Sequence, residues 1–308
     1  MPAAQAGASS NAPGPFTAPP ELAAVALACA SAALFGAMSV AVRFAVRNSG
    51  DAELGSLAMS SVAFAVTAVI GLATTRQVHP SEIWPFLIAG TLAPGLSQVF
   101  FVRAVREAGA ARTSVLMGTA PLVAVAIALL FLREPVRAPL LVGAGLIVAG
   151  GIALARERVR PVDFRRLGVL FALTATVLFA VRDNVLRSFA KDTHVHALVA
   201  APASLLAGLA AISAYLALSR RGAWARGYGL QLRLFLPAGA FFGFSYAALF
   251  EAYYRGRVSV VAPLIATESL WGVVFSLLLL RRSELVGKWL VGGAALIVAG
   301  GALIGVSR

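Results

Sequence analysis

The sequence LIVAGG occurs at Leu146–Gly151 and again, 150 residues later, at Leu296–Gly301. Glu134 and Glu284 are separated by the same interval. A repeat of this length indicates that one structural unit is present twice.

Matches at slightly shorter intervals extend the repeat toward the start of each half. Leu116 aligns with Leu264, and Leu34–Phe35 aligns with Leu178–Phe179. Because the interval grows slowly along the chain, small loop insertions account for it. We therefore predict two copies of one unit, at residues 21–155 and 165–306.

The composition indicates that this unit lies in a membrane. Of the 308 residues, 59% are apolar and 13% are charged, and the mean hydropathy is +0.85. Soluble domains are usually 45–50% apolar with about a quarter of their residues charged. A soluble fold of this size cannot bury so much apolar surface.

The apolar residues form ten blocks of the length that a helix needs to cross the hydrocarbon core. The blocks lack the alternation of a barrel strand, so an all-α integral membrane protein with ten transmembrane helices is predicted. Residues 1–20 are expected to form a disordered tail. The predicted spans are 21–46, 54–74, 82–104, 112–132, 138–155, 165–188, 195–218, 231–254, 258–280 and 286–306.

Each predicted copy has five spans, which is an odd number. The second copy must therefore enter the membrane from the opposite side, and the two form an inverted repeat. Many secondary transporters have this architecture, with the substrate site between the halves. The sequence thus favours a carrier over duplication without transport.

The chain is basic, with a formal net charge of +13. Most Arg residues fall in short clusters between apolar blocks, which is typical of charges that orient a membrane protein rather than bind nucleic acid. The single cysteine, Cys29, leaves no intramolecular disulfide.

The order of segments in each half resembles a known family. The first half has LLFLREP around Glu134, then GAGLIVAGG; the second has VVAPLIATES, then LLLLRRSE ending at Glu284, then GGAALIVAGG. This tandem pattern is similar to the EamA family of the drug/metabolite transporter superfamily. The resemblance covers nearly all of the chain after residue 20.

The resemblance implies ten helices, two EamA repeats and export or exchange of small metabolites, amino acids or drugs. Smaller four-helix relatives in the superfamily use a Glu in their first helix for proton coupling. Here that helix has no carboxylate beyond Glu21 at its edge, so that mechanism is not carried over.

Ionisable groups inside the spans need a structural or functional reason, because each costs at least about 2.5–3.5 kcal/mol to insert. Glu268 lies within the ninth span, beside Thr267 and Trp271. The predicted role is a partner for a substrate amine or a proton site, with Thr267 and Trp271 in the same binding site. A buried hydrogen bond between helices is the alternative.

A second polar cluster lies toward one end of the sixth span. Asp183 and Asn184 are flanked by Arg182 and Arg187, and Asp183 and Arg187 share a helix face. We expect either a structural or gating ion pair or a contact with substrate.

Gln98 and Tyr246 occupy equivalent positions in the third and eighth spans. Equivalent positions face each other across the axis of an inverted repeat, so both are candidates for a central cavity. The alternative for Tyr246 is an aromatic packing stripe with Phe250 and Tyr253.

Three further residues are assigned structural or gating roles. Arg43 matches Arg187 in the repeat, and Pro121 and Pro263 permit bends in helices that rock.

No metalloprotease, nucleophile-elbow or phosphate-loop motif is present in the sequence. We expect no enzyme activity, cofactor or metal. The predicted function is secondary-active transport of a small metabolite, amino acid or drug-like solute across the cytoplasmic (inner) membrane. The alternative is a non-transporting membrane scaffold or partner subunit.

The partners expected are the solute and the lipid bilayer, with a monomer or a homodimer as the assembly. Orientation stays open at this level. Most basic residues in the connections lie between spans one and two, three and four, five and six, seven and eight, and nine and ten. The positive-inside rule would make these connections cytoplasmic and leave both termini outside. The family resemblance implies both termini inside.

Overall fold

The computed structural model describes residues 20–48, 50–74, 82–123, 126, 138–157, 164–190, 193–220, 227–256, 261, 264–280 and 286–306. The regular secondary structure of these residues is entirely helical. The first nineteen residues of the predicted tail lie outside the described residues.

Eleven α-helices and two short π-helical segments, Thr91–Leu96 and Ser276–Leu280, make up the bundle over the described residues. The α-helices are α1 Pro20–Arg47, α2 Ala52–Thr74, α3 Trp84–Gly90, α4 Ser97–Ala108, α5 Ala110–Met117, α6 Ala138–Arg156, α7 Arg166–Ala190, α8 Ala197–Arg220, α9 Tyr228–Arg255, α10 Glu268–Phe275 and α11 Lys288–Val306.

Seven helical stretches among the described residues are long and apolar enough to cross a membrane. They correspond to the predicted spans one to three and five to eight. The predicted ninth and tenth spans appear as shorter apolar helices, Leu264–Leu280 and Lys288–Ile304. Of the predicted fourth span, 112–132, residues 124, 125 and 127–132 lie outside the described residues. The chain is therefore a multi-pass membrane protein.

The third span differs from the single continuous helix that the sequence predicts. Its backbone leaves the helical conformation at Ala93 (φ −144°, ψ 121°), immediately before Pro94. Proline removes a hydrogen-bond donor and disfavours the α conformation of the preceding residue. The span thus consists of two helical parts, α3 and α4, joined by the π-helical segment.

The turn from α4 to α5 depends on one glycine. Gly109 adopts φ 93°, a left-handed conformation that few side chains tolerate. The chain therefore reverses within a single residue between Ala108 and Ala110.

Helices α6 and α11, which carry the repeated LIVAGG sequence, pack against each other through glycines. A Cβ at Gly143 would lie 2.7 Å from the Gly300 carbonyl oxygen, and one at Gly150 would lie 2.7 Å from the Gly293 carbonyl oxygen. Small residues allow such close approach of helix backbones in membranes. Since the earlier glycine of each helix meets the later one of the other, the helices are antiparallel.

The remaining contacts join the two halves of the chain throughout the bundle. α1 packs against α9 and α10, α4 packs against α7, and α8 packs against α2 and α3. The largest apolar core contains Phe86, Phe101, Phe235 and Phe242. Many large apolar side chains outside this core are exposed, Leu72 and Leu218 among them, as expected where lipid is the solvent.

Candidate functional site

A cavity of about 110 Å³ lies between helices from both halves of the chain. α1 and the end of α5 form one side, and α7, α9, α10 and the end of α11 form the other. The lining residues with polar side chains are Ser31, Arg182, Asp183, Asn184, Ser245, Tyr246, Tyr253 and Glu268. The rest of the wall is mainly aromatic and aliphatic.

Arg182 is fixed in the wall of this cavity by several contacts. Its side chain is almost fully buried. Its Nη1 donates a hydrogen bond of 2.8 Å to the Tyr246 hydroxyl, and its Nε lies 3.0 Å from Asp183 Oδ1. The guanidinium also lies 5.3 Å from the ring centroid of Phe179 and 5.2 Å from that of Tyr246, within the range of a cation–π interaction.

Tyr246 links this arginine to other elements. Its hydroxyl lies 3.1 Å from Ser204 Oγ on α8. Its ring packs against Phe242 and Phe250, with centroid separations of 5.3 and 4.9 Å. The predicted aromatic stripe on α9 therefore both packs and lines the cavity.

Glu268 contributes a second carboxylate to the cavity. It begins α10 and lines the cavity. Among the described residues, no side chain or backbone group makes a hydrogen bond or ion pair with its carboxylate. Two carboxylates, Asp183 and Glu268, thus share the cavity with one guanidinium that already contacts Asp183 and Tyr246.

The structure places several other sequence-predicted residues in or near this wall. Pro121 and Asn184 line the cavity, and the Asn184 amide also donates to the Ala180 carbonyl at 2.8 Å. The ion-pair partner of Asp183 is Arg182, whereas the side chain of Arg187, the predicted partner, lies outside the described residues, as does Pro263.

Three of the predicted substrate-binding residues do not line the cavity. Gln98 is fully buried, with its amide nitrogen 4.0 Å from the Met59 sulfur. The Thr267 hydroxyl donates to the Leu264 carbonyl at 2.6 Å. Trp271 is 38% exposed and stacks on Phe275 with ring centroids 5.6 Å apart.

The cavity also contains residues that the sequence analysis did not assign to it. Phe35 and Phe179 line it with ring centroids 6.2 Å apart and planes at 88°. These two phenylalanines were used only to align the repeat. They occupy equivalent positions in the two predicted copies, as Gln98 and Tyr246 do. The same reasoning from equivalence would have made them candidates for the cavity.

A second group of polar residues lies outside the cavity and is paired internally. Arg103 of α4 contacts Glu53 of α2 in an ion pair, and its guanidinium lies 3.1 Å from the Tyr215 hydroxyl of α8. The Tyr215 hydroxyl also donates to Glu53 at 3.2 Å. These three residues, the Glu53–Arg103–Tyr215 cluster, tie helices of both halves together.

Arg43, predicted to be structural or gating, lies beside the C-terminal end of α4. Its Nη1 donates to the backbone carbonyl oxygens of Val105 and Arg106, at 3.3 and 2.8 Å. Both carbonyls belong to the last turn of α4, where most acceptors lack helical partners, although that of Val105 also accepts from the Gly109 N–H at 3.1 Å. Arg43 therefore caps α4.

Residues 22–156 match the model of the EamA-like transporter family. The match confirms the resemblance drawn from the sequence over these residues, and it indicates a membrane transporter of the drug/metabolite transporter superfamily.

One solved structure, described only as "Crystal structure of protein", is similar to 92% of this chain and covers 96% of its own. The TM-score is 0.65 and the sequence identity is 21%, so the likeness concerns the fold alone. No curated protein matches the sequence.

Proposed function

We propose that this EamA-like protein is a secondary-active carrier that exports or exchanges a small solute by alternating access. The solute has an amino group and a compact apolar body. The observation that carries the proposal is the cavity between the two halves, in which the Glu268 carboxylate has no partner among the described residues.

The packing of the helices supports the inverted repeat that alternating access requires. In the proposed arrangement of ten spans, α1 corresponds to α7 and the third span corresponds to α9. The contact of α1 with α9 and that of α4 with α7 are then the same contact, made once by each half. The reciprocal glycine contacts between α6 and α11 follow the same two-fold relation.

The charge and the wall of the cavity support an amine as the substrate. A carboxylate in a low-dielectric site needs a cation or a proton. An ammonium group would meet Glu268, and the aromatic rings of Phe35, Phe179 and Tyr246 would favour a cation beside an apolar body. When the solute leaves, a proton would neutralise Glu268, which gives a route to coupling.

The internal pairing of Glu53, Arg103 and Tyr215 supports a closed end of the transport path. The Glu53–Arg103–Tyr215 cluster joins α2, α4 and α8. In the proposed cycle these bonds break when the cavity becomes accessible from the side on which the cluster lies.

The localisation that fits this function is the cytoplasmic (inner) membrane.

The test is transport by the purified full chain in lipid vesicles. Vesicles preloaded with unlabelled amines would be assayed for exchange with a labelled aromatic or branched aliphatic amine. The N-acetylated form of the same amine is the matched neutral solute. We expect saturable exchange of the amine and none of the acetylated form.

Empty vesicles and vesicles with Glu268→Gln protein are the controls. Absence of saturable flux for all solutes, with protein that is monodisperse and helical, would favour the scaffold alternative. Equal transport of amine and acetylated amine would contradict the role of the carboxylate but retain a carrier.

A further inference from the structure

A second pocket, which shares no lining residue with the Glu268 cavity, lies at the ends of α1 and α4. It has a volume of about 290 Å³ and is lined by Arg43, Val46, Arg47, Arg106, Glu107 and Arg165. The residues come from the end of α1, the end of α4 and the residue before α7. Four guanidinium groups thus converge on a space with one carboxylate.

The internal ion pairs do not neutralise this pocket. Glu107 lies 3.3 Å from Arg165 Nε and 3.6 Å from Arg106 Nε. Arg43 is buried and directs its Nη1 to the end of α4. Arg47 makes no hydrogen bond or ion pair with any described residue. Among the described residues that line the pocket, one carboxylate therefore faces four guanidinium groups.

The chemistry of the arginines identifies the kind of ligand. A guanidinium presents planar, paired donors that match the oxygen atoms of a phosphate. Basic pockets between transmembrane helices bind anionic lipid headgroups, and each Lys or Arg near an anionic membrane surface contributes about 1 kcal/mol.

Exposed apolar side chains beside the pocket favour a lipid over a free anion. Phe44, which lies between Arg43 and Arg47 on α1, is 44% exposed, and Leu167 and Leu170 on α7 are more than half exposed. Leu167 also shares a neighbouring pocket with Arg106 and Glu107. An acyl chain would have an apolar surface to follow below the headgroup.

We propose that this pocket binds the phosphate group of an anionic phospholipid, with the acyl chains on the adjacent helix surface. The site is separate from the Glu268 cavity and does not depend on transport. Bound lipid would bridge the ends of α1, α4 and α7, elements that belong to both halves of the chain.

The experiment measures lipid binding to the purified full chain in neutral detergent by native mass spectrometry. The probes are dioctanoyl phosphatidylglycerol, dioctanoyl phosphatidylcholine, glycerol 3-phosphate and inorganic phosphate. We expect one saturable phosphatidylglycerol site and at least tenfold weaker binding of phosphatidylcholine.

Arg47→Gln/Arg165→Gln removes two of the four charges, and we expect phosphatidylglycerol to bind about tenfold or more weakly to it. The matched control is Arg156→Gln/Arg233→Gln, which removes the same charge from two exposed arginines that do not line the pocket. Arg47→Lys is a milder variant that keeps the charge and should keep most of the affinity. Elution as a monodisperse peak and unchanged helical circular dichroism show that each variant is folded.

Each other outcome decides against part of the proposal. Equal loss in the control pair would show a general surface attraction, and equal binding of phosphatidylcholine would show an apolar lipid contact; both overturn the phosphate site. Glycerol 3-phosphate or inorganic phosphate binding as tightly as the lipid would keep the phosphate site but overturn a lipid as its source.

Discussion

The two sides of the Glu268 cavity share three corresponding positions of the repeat but differ in charge. The side from the first half of the chain has Phe35, Met117 and Ala120, whereas the side from the second half has Phe179, Ile265 and Glu268 at the corresponding positions of the repeat. Arg182 and Asp183 also come from the second half.

This difference separates two contributions to a binding site. The corresponding apolar positions give both sides a similar wall, as duplication of one unit would. All the ionisable groups known to line the cavity belong to the second half among the described residues. In the proposed carrier, shape therefore follows from the repeat, and selectivity for charge follows from the divergence of the second copy.

Removing the charge of Glu268 gives the largest expected effect. Glu268→Gln should lower amine transport at least about a hundredfold, since loss of one partner from a desolvated charge pair costs several kcal/mol. The fold should persist because the carboxylate makes no hydrogen bond or ion pair with a described residue. Vesicle exchange and a thermal melt would be measured together.

The matched control for this variant is Glu82→Gln. Glu82 accepts hydrogen bonds from Thr193 and from the His194 N–H, and it does not line the cavity. Its amide analogue keeps an acceptor, so transport should stay within about twofold of the unmodified protein. Wild-type transport rates in Glu268→Gln would exclude Glu268 as the charged site.

Moving the carboxylate to the other side tests the correspondence itself. Ala120 lines the cavity at the position equivalent to Glu268. In a Glu268→Ala background, Ala120→Glu should restore about a tenth of the original exchange rate, because a carboxylate returns to the cavity at a different position. Exchange in vesicles would measure the recovery.

Ala120→Gln in the same background is the control of equal size without charge. It should restore nothing. Identical rates for the two substitutions would mean that the position across the cavity is not equivalent in function.

The sequence alone predicted the general fold and two residues of the cavity. The apolar blocks predicted a multi-pass helical protein, and tandem similarity predicted the EamA family. Glu268 and Asp183 were candidates for the site because carboxylates are rare at membrane depth, and both line the cavity. Their roles in transport stay predictions.

Side-chain direction was not foreseeable in the same way. Gln98 and Tyr246 are equivalent in the repeat, yet only Tyr246 lines the cavity. Gln98 follows the break at Ala93–Pro94, whereas the equivalent part of α9 continues as a helix. The two copies thus differ in local backbone structure at these positions, and the repeat alone does not contain that information.

A smaller effect is expected from the hydroxyl that holds Arg182. Tyr246→Phe removes the acceptor of the Arg182 hydrogen bond and the contact with Ser204. The loss of a buried hydrogen bond is worth about 1 kcal/mol. Amine affinity should fall about fivefold, because Arg182 is then less firmly held and competes with the amine for the carboxylates. Equilibrium binding of the labelled amine would measure this.

Tyr228→Phe is the control, since the Tyr228 hydroxyl donates a 2.8 Å bond to Ser61 Oγ and does not line the cavity. It should lower the melting temperature without changing amine affinity. A similar loss of affinity in both variants would point to destabilisation of the bundle instead of a role in the site.

The smallest expected effect compares the two corresponding rings. Phe35→Leu and Phe179→Leu each keep an apolar side chain but remove one of the rings that meet at 6.2 Å in the cavity wall. A cation–π contribution of about 0.5–1 kcal/mol predicts a two- to fivefold loss of amine affinity in either variant.

Phe101→Leu is the packing control, because the Phe101 ring centroid lies 5.5 Å from that of Phe35 but Phe101 does not line the cavity. If the two rings serve one site related by the repeat, the losses should be similar. A loss confined to Phe179→Leu would mean that the ring beside Arg182 acts alone and that the first half supplies only shape.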